Sequence, residues 1–166
     1  MELVLNDIIT KQTVNVTNTM ETKEEKVIRT FRAGLNCAQA VLTGYSDVLG
    51  FDDDFALNIS SGFGGGMGRL QETCGAVTGA YMVLGIYNGK KYSENAQKKE
   101  VTYNMIQNFS EKFKTINGST DCRSLLKCDL RTEAGHRYAV ENNLFGTTCE
   151  KCISDSIRII DEIIDK

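Results

Sequence analysis

Six cysteines are the residues of this chain best suited to chemistry: Cys37, Cys74, Cys122, Cys128, Cys149 and Cys152. A thiolate is a nucleophile, a metal ligand or half of a disulfide, and its surroundings decide which. Four of the six share a local pattern. Asn36 precedes Cys37, Thr73 precedes Cys74, Asp121 precedes Cys122 and Thr148 precedes Cys149. Asn, Asp and Thr are favoured N-cap residues, so each of these cysteines is expected in the first turn of a helix. There the free N–H groups and the helix dipole stabilise an anion and lower a thiol's pKa. Four such placements predict helix starts that converge on one thiolate site. Cys128 and Cys152 each follow a lysine and fall outside the pattern. Cys149-Glu150-Lys151-Cys152 is a CxxC, but no strand precedes it as in a thioredoxin-like motif. Cys152 therefore reads as a core position of the last helix.

The second unusual stretch is Ser60-Ser61-Gly62-Phe63-Gly64-Gly65-Gly66-Met67-Gly68-Arg69. Glycine at this density marks backbone that turns tightly or approaches something closely. The spacing is not G-x-G-x-x-G, since Arg69 stands where the third glycine would. Nor is it G-x-x-x-x-G-K-S/T, so a nucleotide site has no support. Two uses stay open. One is a tight turn between helices. The other is a backbone wall beside Cys74, with Gly64, Gly65, Gly66 and Gly68 facing a sulfur or anion and Arg69 adding positive charge. His136 is the only histidine. It cannot build a two-cysteine, two-histidine zinc site and reads as a surface or capping residue.

The elements that must position these residues are all helical. Val27, Ile28, Phe31 and Leu35 share one face, and Gly34 breaks the run. Asn36 with Gln39 forms a capping-box pair. Ala38, Val41, Leu42, Tyr45, Val48 and Leu49 then recur at helical spacing up to Gly50. A short helix follows Asp52, and one beginning near Thr73 is apolar on most faces, hence buried. Its Gly75, Ala76, Gly79 and Ala80 make a small-residue face for a close neighbour, within the chain or across a homodimer. Asn88 to Lys91 reads as a polar turn. Further helices are expected over about 93–116, from Asp121 past Leu126, over 132–142, and from Thr147 or Thr148 onward with Ile153, Ile157, Ile160 and Ile164 on one face. Period-2 alternation is not sustained anywhere, and residues 13–17 are the one weak strand candidate. The expected fold class is all-α. Residues 21–166 form a single bundle of six to seven helices with a Gly-rich interhelix loop, preceded by a poorly ordered leader over 1–20.

Composition limits the function classes. The chain has 166 residues, 41% apolar and 25% charged, and such a length can bury about 68–70% of its unfolded surface in one domain. A net charge of −3 gives no general surface for nucleic acid. The longest uncharged apolar run, Thr73 to Tyr87, has 15 residues, against roughly 20 for a spanning helix, so membrane insertion is not expected. The N-terminus has no basic n-region, which makes a cytoplasmic home the default. Thiols stay reduced there, and clustered cysteines point to metal or redox work.

Asn36-Cys37-Ala38-Gln39-Ala40-Val41-Leu42, Ser61 to Gly68 followed by Cys74-Gly75-Ala76-Val77-Thr78-Gly79-Ala80, Cys122-Arg123-Ser124-Leu125-Leu126 and Cys149 to Cys152 together carry a resemblance. From about residue 25 onward the chain resembles the C_GCAxxG_C_C family of redox-active proteins. The family's four cysteines correspond to Cys37, Cys74, Cys122 and Cys149, and Cys128 and Cys152 are additional. The chain is also similar to part of the split-Soret type of cytochrome, whose cysteines are associated with an iron–sulfur centre. It has no C-x-x-C-H for haem attachment. The resemblance implies that these four cysteines are the reactive residues and metal ligands, with Gly64, Gly65, Gly66, Gly68 and Arg69 beside the cofactor. Four thiolates hold an iron–sulfur cluster or cycle between two disulfides and four thiols. A structural zinc module is the alternative, and a helical partner-binding domain with buried, inert cysteines is the third. The implied partner is a redox or electron-transfer protein.

Overall fold

The computed structural model describes residues 21–165, so the expected leader and the strand candidate at 13–17 lie outside the described residues. Four helices come first: α1 (Lys23–Arg32), α2 (Cys37–Thr43), α3 (Ser46–Leu49) and α4 (Asp53–Ser60). A 3-10 turn (Ser61–Phe63) and the short α5 (Gly64–Met67) lead to α6 (Gly75–Lys91). Then follow α7 (Asn95–Asn117), α8 (Cys122–Leu126), α9 (Glu133–Glu141), a π turn (Phe145–Cys149) and α10 (Glu150–Ile164). Seven of these helices have seven or more residues, as expected for the bundle. Among the described residues the only β pairing outside the helices is an isolated antiparallel bridge between Thr73 and Asp121.

Helix α6 is the centre of the bundle, with α2, α7 and α10 packed around it. Its Ala76, Val77, Ala80, Val83 and Leu84 have no exposed surface, as its all-round apolar sequence dictates. The small-residue face is used within the chain, against α2. A Cβ on Gly75 would stand 3.0 Å from Cys37 Cβ, and one on Gly79 would stand 3.0 Å from Val41 Cβ and from the Ala38 carbonyl. That contact brings the start of α2 to the start of α6, and so Cys37 to the neighbourhood of Cys74. On α10 the stripe is wider than the four-residue repeat, because Ile159 and Ile163 are buried beside Ile153, Ile157 and Ile160. Each fully buried isoleucine contributes about 1.5–3 kcal/mol, which fixes α10 firmly on α6 and α7.

Two expectations are corrected. The continuous helix from Asn36 to Gly50 is broken at Gly44, where a Cβ would lie 2.3 Å from Val27 Cγ2. Glycine there lets α1 cross closely, and Val48, on the far side of the break, is 66% exposed. The polar turn over 88–91 is the last turn of α6 instead. Asn88 is fully buried, and its Nδ2 donates to Thr102 Oγ1 on α7 at 3.1 Å. A tertiary hydrogen bond thus overrides the turn propensity of Asn-Gly.

Gly79→Ala should lower stability by about 1–3 kcal/mol through overpacking against α2. Gly85→Ala, where an added Cβ meets nothing within 4 Å, should raise it by about 0.4–1 kcal/mol. Urea midpoints of the two variants check both signs.

Candidate functional site

Cys37 is held as its sequence predicts. Asn36 Oδ1 accepts from the backbone N–H groups of Ala38 and Gln39 at 3.0 Å each, and Gln39 Oε1 accepts from Asn36 N–H at 3.1 Å. The same two side chains reach outward: Asn36 Nδ2 donates to the Ser61 carbonyl at 2.9 Å, and Gln39 Nε2 to the Leu57 carbonyl at 3.0 Å. The cap therefore also ties α2 to the glycine segment, and a Cβ on Gly64 would stand 2.6 Å from Asn36 Cβ.

Cys122 also follows its expected cap, since Asp121 Oδ1 accepts from Ser124 N–H at 2.7 Å. Cys74 does not. Helix α6 begins at Gly75, and Cys74 is itself the N-cap, in extended backbone (φ −52°, ψ 137°). Thr73 caps nothing and is instead one side of the bridge to Asp121. Across that bridge Cys74 N–H donates to the Thr120 carbonyl at 2.8 Å, and Cys122 N–H to the Glu72 carbonyl at 2.7 Å. Backbone pairing thus places the two cysteines side by side.

The glycine segment makes this pairing reachable by coiling left-handed. Gly65, Gly66, Met67, Gly68 and Arg69 have φ of 62°, 68°, 62°, 65° and 67°, and Gln71 follows at 61°. For the three residues that are not glycine this conformation costs roughly 1–2 kcal/mol each. Glycine is needed at position 66 on space as well, because a Cβ would stand 2.6 Å from Cys122 Cβ. Buried Gln71 holds the far end. Its Nε2 donates to the Cys128 carbonyl at 2.9 Å, and its Oε1 accepts from Leu130 N–H at 2.8 Å. Strain of this kind concentrates at functional sites.

Cys149 departs from its expected setting. Thr148 does not cap a helix. Phe145–Cys149 is a π turn that runs straight into α10, and Cys149 N–H is already spent on the Leu144 carbonyl at 3.0 Å. No first-turn dipole acts on its sulfur. A bidentate ion pair from Arg32 to Glu150, 2.7 Å on both arms, fastens α1 to the start of α10 next to it.

These elements enclose a cavity of about 490 Å³. Cys37, Cys74, Cys122 and Cys149 all line it, as do Gly64, Gly65, Gly66, Gly68 and Arg69. Phe31, Leu125, Leu126, Leu130 and Phe145 supply apolar wall. Two further lining residues bear reactive groups and were not assigned to the site from sequence. Cys152 is buried as expected, at 2% exposure, yet it also lines the cavity. Its signal was present, because residues three apart on a helix share a face and Cys149 is three residues away. His136 reaches the cavity rim from exposed α9, its ring 6.0 Å from that of Phe145; its position in the sequence carries no signal for this. Cys128 is half-buried and does not line the cavity.

All six cysteines are free thiols. The neighbouring Cys149 thiol, and after it burial, push the Cys37 thiol well above its ordinary value. The Cys152 thiol, with help from the N–H groups of Ala76 and Val77, lowers Cys74, and Cys74 in turn raises Cys152. Burial raises Cys122, and the nearby sulfurs of Cys74 and Cys149 add to it. Of these sulfurs, Cys74 is the one whose anionic form its surroundings favour, while Cys37, Cys122 and Cys152 are shifted the other way. The donor set is almost purely sulfur, which suits iron–sulfur clusters and other thiophilic groups. Among the described residues no three His, Cys, Asp or Glu side chains converge as one metal ion requires.

An all-helical bundle built around a thiol-lined cavity defines a class of sulfur-site proteins. Residues 35–163, well over half of the chain, match the family described as "Putative redox-active protein (C_GCAxxG_C_C)", and the chain belongs to that family. Neither the curated proteins nor the solved structures give a match. Among the described residues no helix is long and apolar enough to cross a membrane.

Cys37, Cys122 and Cys152 keep their protons to higher pH in the folded chain than the ordinary thiol value of 9.0. The stability they contribute is fully present below that value and is lost as pH rises above it, because the unfolded chain then releases protons the folded chain holds. Cys74 acts with the opposite sign. The urea midpoint of the reduced, metal-free protein should therefore fall from about pH 8 upward, and fall less steeply in Cys122→Ser.

Proposed function

We propose that Cys37, Cys74, Cys122 and Cys149 hold an iron–sulfur cluster in this cavity and that the protein exchanges electrons with a redox partner in a reducing, cytoplasmic setting. The observation that carries this reading is that four separate chain segments deliver these thiols to one cavity beside a strained wall of glycine backbone. When bound, such a cluster supplies one-electron chemistry tuned by hydrogen bonds and burial. The chain's own work is positioning. The bridge between Thr73 and Asp121 sets Cys74 against Cys122. The Asn36 cap fixes Cys37, and the π turn points Cys149 inward without a helix-start field. Ala76 and Val77 N–H groups stabilise the Cys74 sulfur as an anion. Phe31, Phe145 and the three leucines exclude water, and Arg69 adds the one guanidinium of the lining. A single zinc ion fits less well, given the absence of a converging triad among the described residues.

The placement of the Cys37 and Cys149 thiols in one cavity lining favours a second reading. Those two thiols would close to a disulfide, giving two electrons and two protons to an oxidised partner.

Protein purified without oxygen should contain iron and sulfide and absorb in the visible. Cys74→Ser and Cys122→Ser should lose both with far-UV circular dichroism unchanged, whereas Cys128→Ser should keep them. A colourless, metal-free protein with fewer than six titratable thiols would favour the disulfide reading. Zinc alone would favour the structural zinc module, and equal loss in Cys128→Ser would contradict the four-cysteine assignment.

A further inference from the structure

We infer that the cavity is also a binding site for a small monocarboxylate with an apolar body, and that Arg69 is the residue that holds the carboxylate. The inference shares the cavity with the proposed cluster and does not depend on a cluster being bound.

Charge singles out Arg69. The chain has seven arginines. Six of them are in ion pairs: Arg29 with Glu21, Arg32 with Glu150, Arg123 and Arg131 with Asp129, Arg137 with Glu133, and Arg158 with Asp155. Arg69 has no carboxylate partner among the described residues, and no Asp or Glu stands with it in the cavity lining. It is the one permanent cation there. The planar guanidinium fork matches a carboxylate with two parallel hydrogen bonds, so the cavity carries a positive charge of a defined shape with nothing to balance it.

The backbone holds this residue in place. Arg69 is in the left-handed region at φ 67°, a conformation that an arginine adopts only where its surroundings impose it. Its N–H donates to the Gly64 carbonyl at 3.2 Å. Its stem lies over Gly65, where an added Cβ would stand 3.1 Å from Arg69 Cγ. The glycine coil therefore seats the side chain on the cavity wall.

The rest of the lining fixes the class of ligand. Cys74 and Cys122 are 5% exposed and belong to the floor. Arg69 and His136 are exposed and belong to the mouth. Phe31, Leu125, Leu126, Leu130 and Phe145 supply the apolar wall. A volume of about 490 Å³ lies within the roughly 300–1,000 Å³ of small-molecule pockets, whose apolar walls carry a few polar groups that orient the ligand. One permanent cation matches one negative charge. A phosphate dianion would bring a second charge into a largely apolar space, where an unpaired charge is costly. A carboxylate on Arg69 leaves an apolar body to cover the wall, and the His136 imidazole offers a second hydrogen bond at the mouth.

The test uses the reduced, metal-free full chain and phenylacetate as the probe, with uncharged phenylacetamide as its control. Calorimetric titration should show saturable binding of one phenylacetate per chain, at least about tenfold tighter than the amide. His136 is the only histidine, so its ring protons report on the mouth alone, and their NMR signals should shift with the same Kd. Arg69→Gln should weaken phenylacetate by about tenfold or more and leave the amide unchanged. Arg69→Lys should recover part of the loss, and Arg158→Gln should have no effect. Equal binding of acid and amide, no saturable binding, or saturation without movement of the His136 signals would overturn the inference. Displacement by inorganic phosphate at equal concentration would overturn the carboxylate assignment. The wild-type comparison of acid with amide decides the matter even if Arg69→Gln fails to fold. Because the protein carries no metal in this experiment, failure of the cluster reading leaves its outcome untouched.

Discussion

Two backbone hydrogen bonds, from Cys74 to Thr120 and from Cys122 to Glu72, are the constraint on which the site depends. They join segments that are far apart in sequence, and they fix where α6 and α8 begin. The glycine segment must reverse direction to bring Glu72 alongside Asp121, and it does so by a left-handed coil. Met67, Arg69 and Gln71 are in the left-handed region at roughly 1–2 kcal/mol each, more than two backbone hydrogen bonds at about 0.5–1.5 kcal/mol net return. The remainder comes from what the coil brings into place: the two side-chain hydrogen bonds of buried Gln71 and the seating of Gly66 against Cys122. The strain is local, and its support is spread over three segments of chain.

The same geometry sets the electrostatics. Five sulfurs around one cavity cannot all ionise without a compensating charge, because like charges in a desolvated space raise one another's pKa. Only Arg69 among the cavity-lining residues carries a permanent positive charge. Burial and the neighbouring sulfurs hold the Cys37 and Cys122 thiols above their ordinary value, while Cys74 is held below it. A cationic, thiophilic group would draw the remaining protons off, so binding and proton release are coupled.

What the sequence made legible was local. The Asn36–Gln39 box and the Asp121 cap are side-chain chemistry over three residues, and both form as their spacing dictates. The glycine density marked the turn, and the small residues of α6 marked its contact with α2. What it hid was tertiary. Thr73 has the side chain of a cap, yet its backbone is engaged in pairing with Asp121. Thr148 likewise caps nothing, because the π turn carries the helical hydrogen bonding back to Leu144. Asn88 and Gly89 look like a turn until Thr102 on another helix supplies a partner. Cys152 reads as core because a buried free thiol and a small hydrophobe look alike in a sequence, and His136 reaches the cavity only because α9 lies across its rim.

The central claim is that four cysteines form one electron-transfer centre. A mediated potentiometric titration of the anaerobically purified protein, followed in the visible, tests it most directly. A cluster held by Cys37, Cys74, Cys122 and Cys149 predicts reversible bleaching with a one-electron slope of about 59 mV per decade. A colourless protein whose thiols titrate with a two-electron slope of about 30 mV per decade would contradict it.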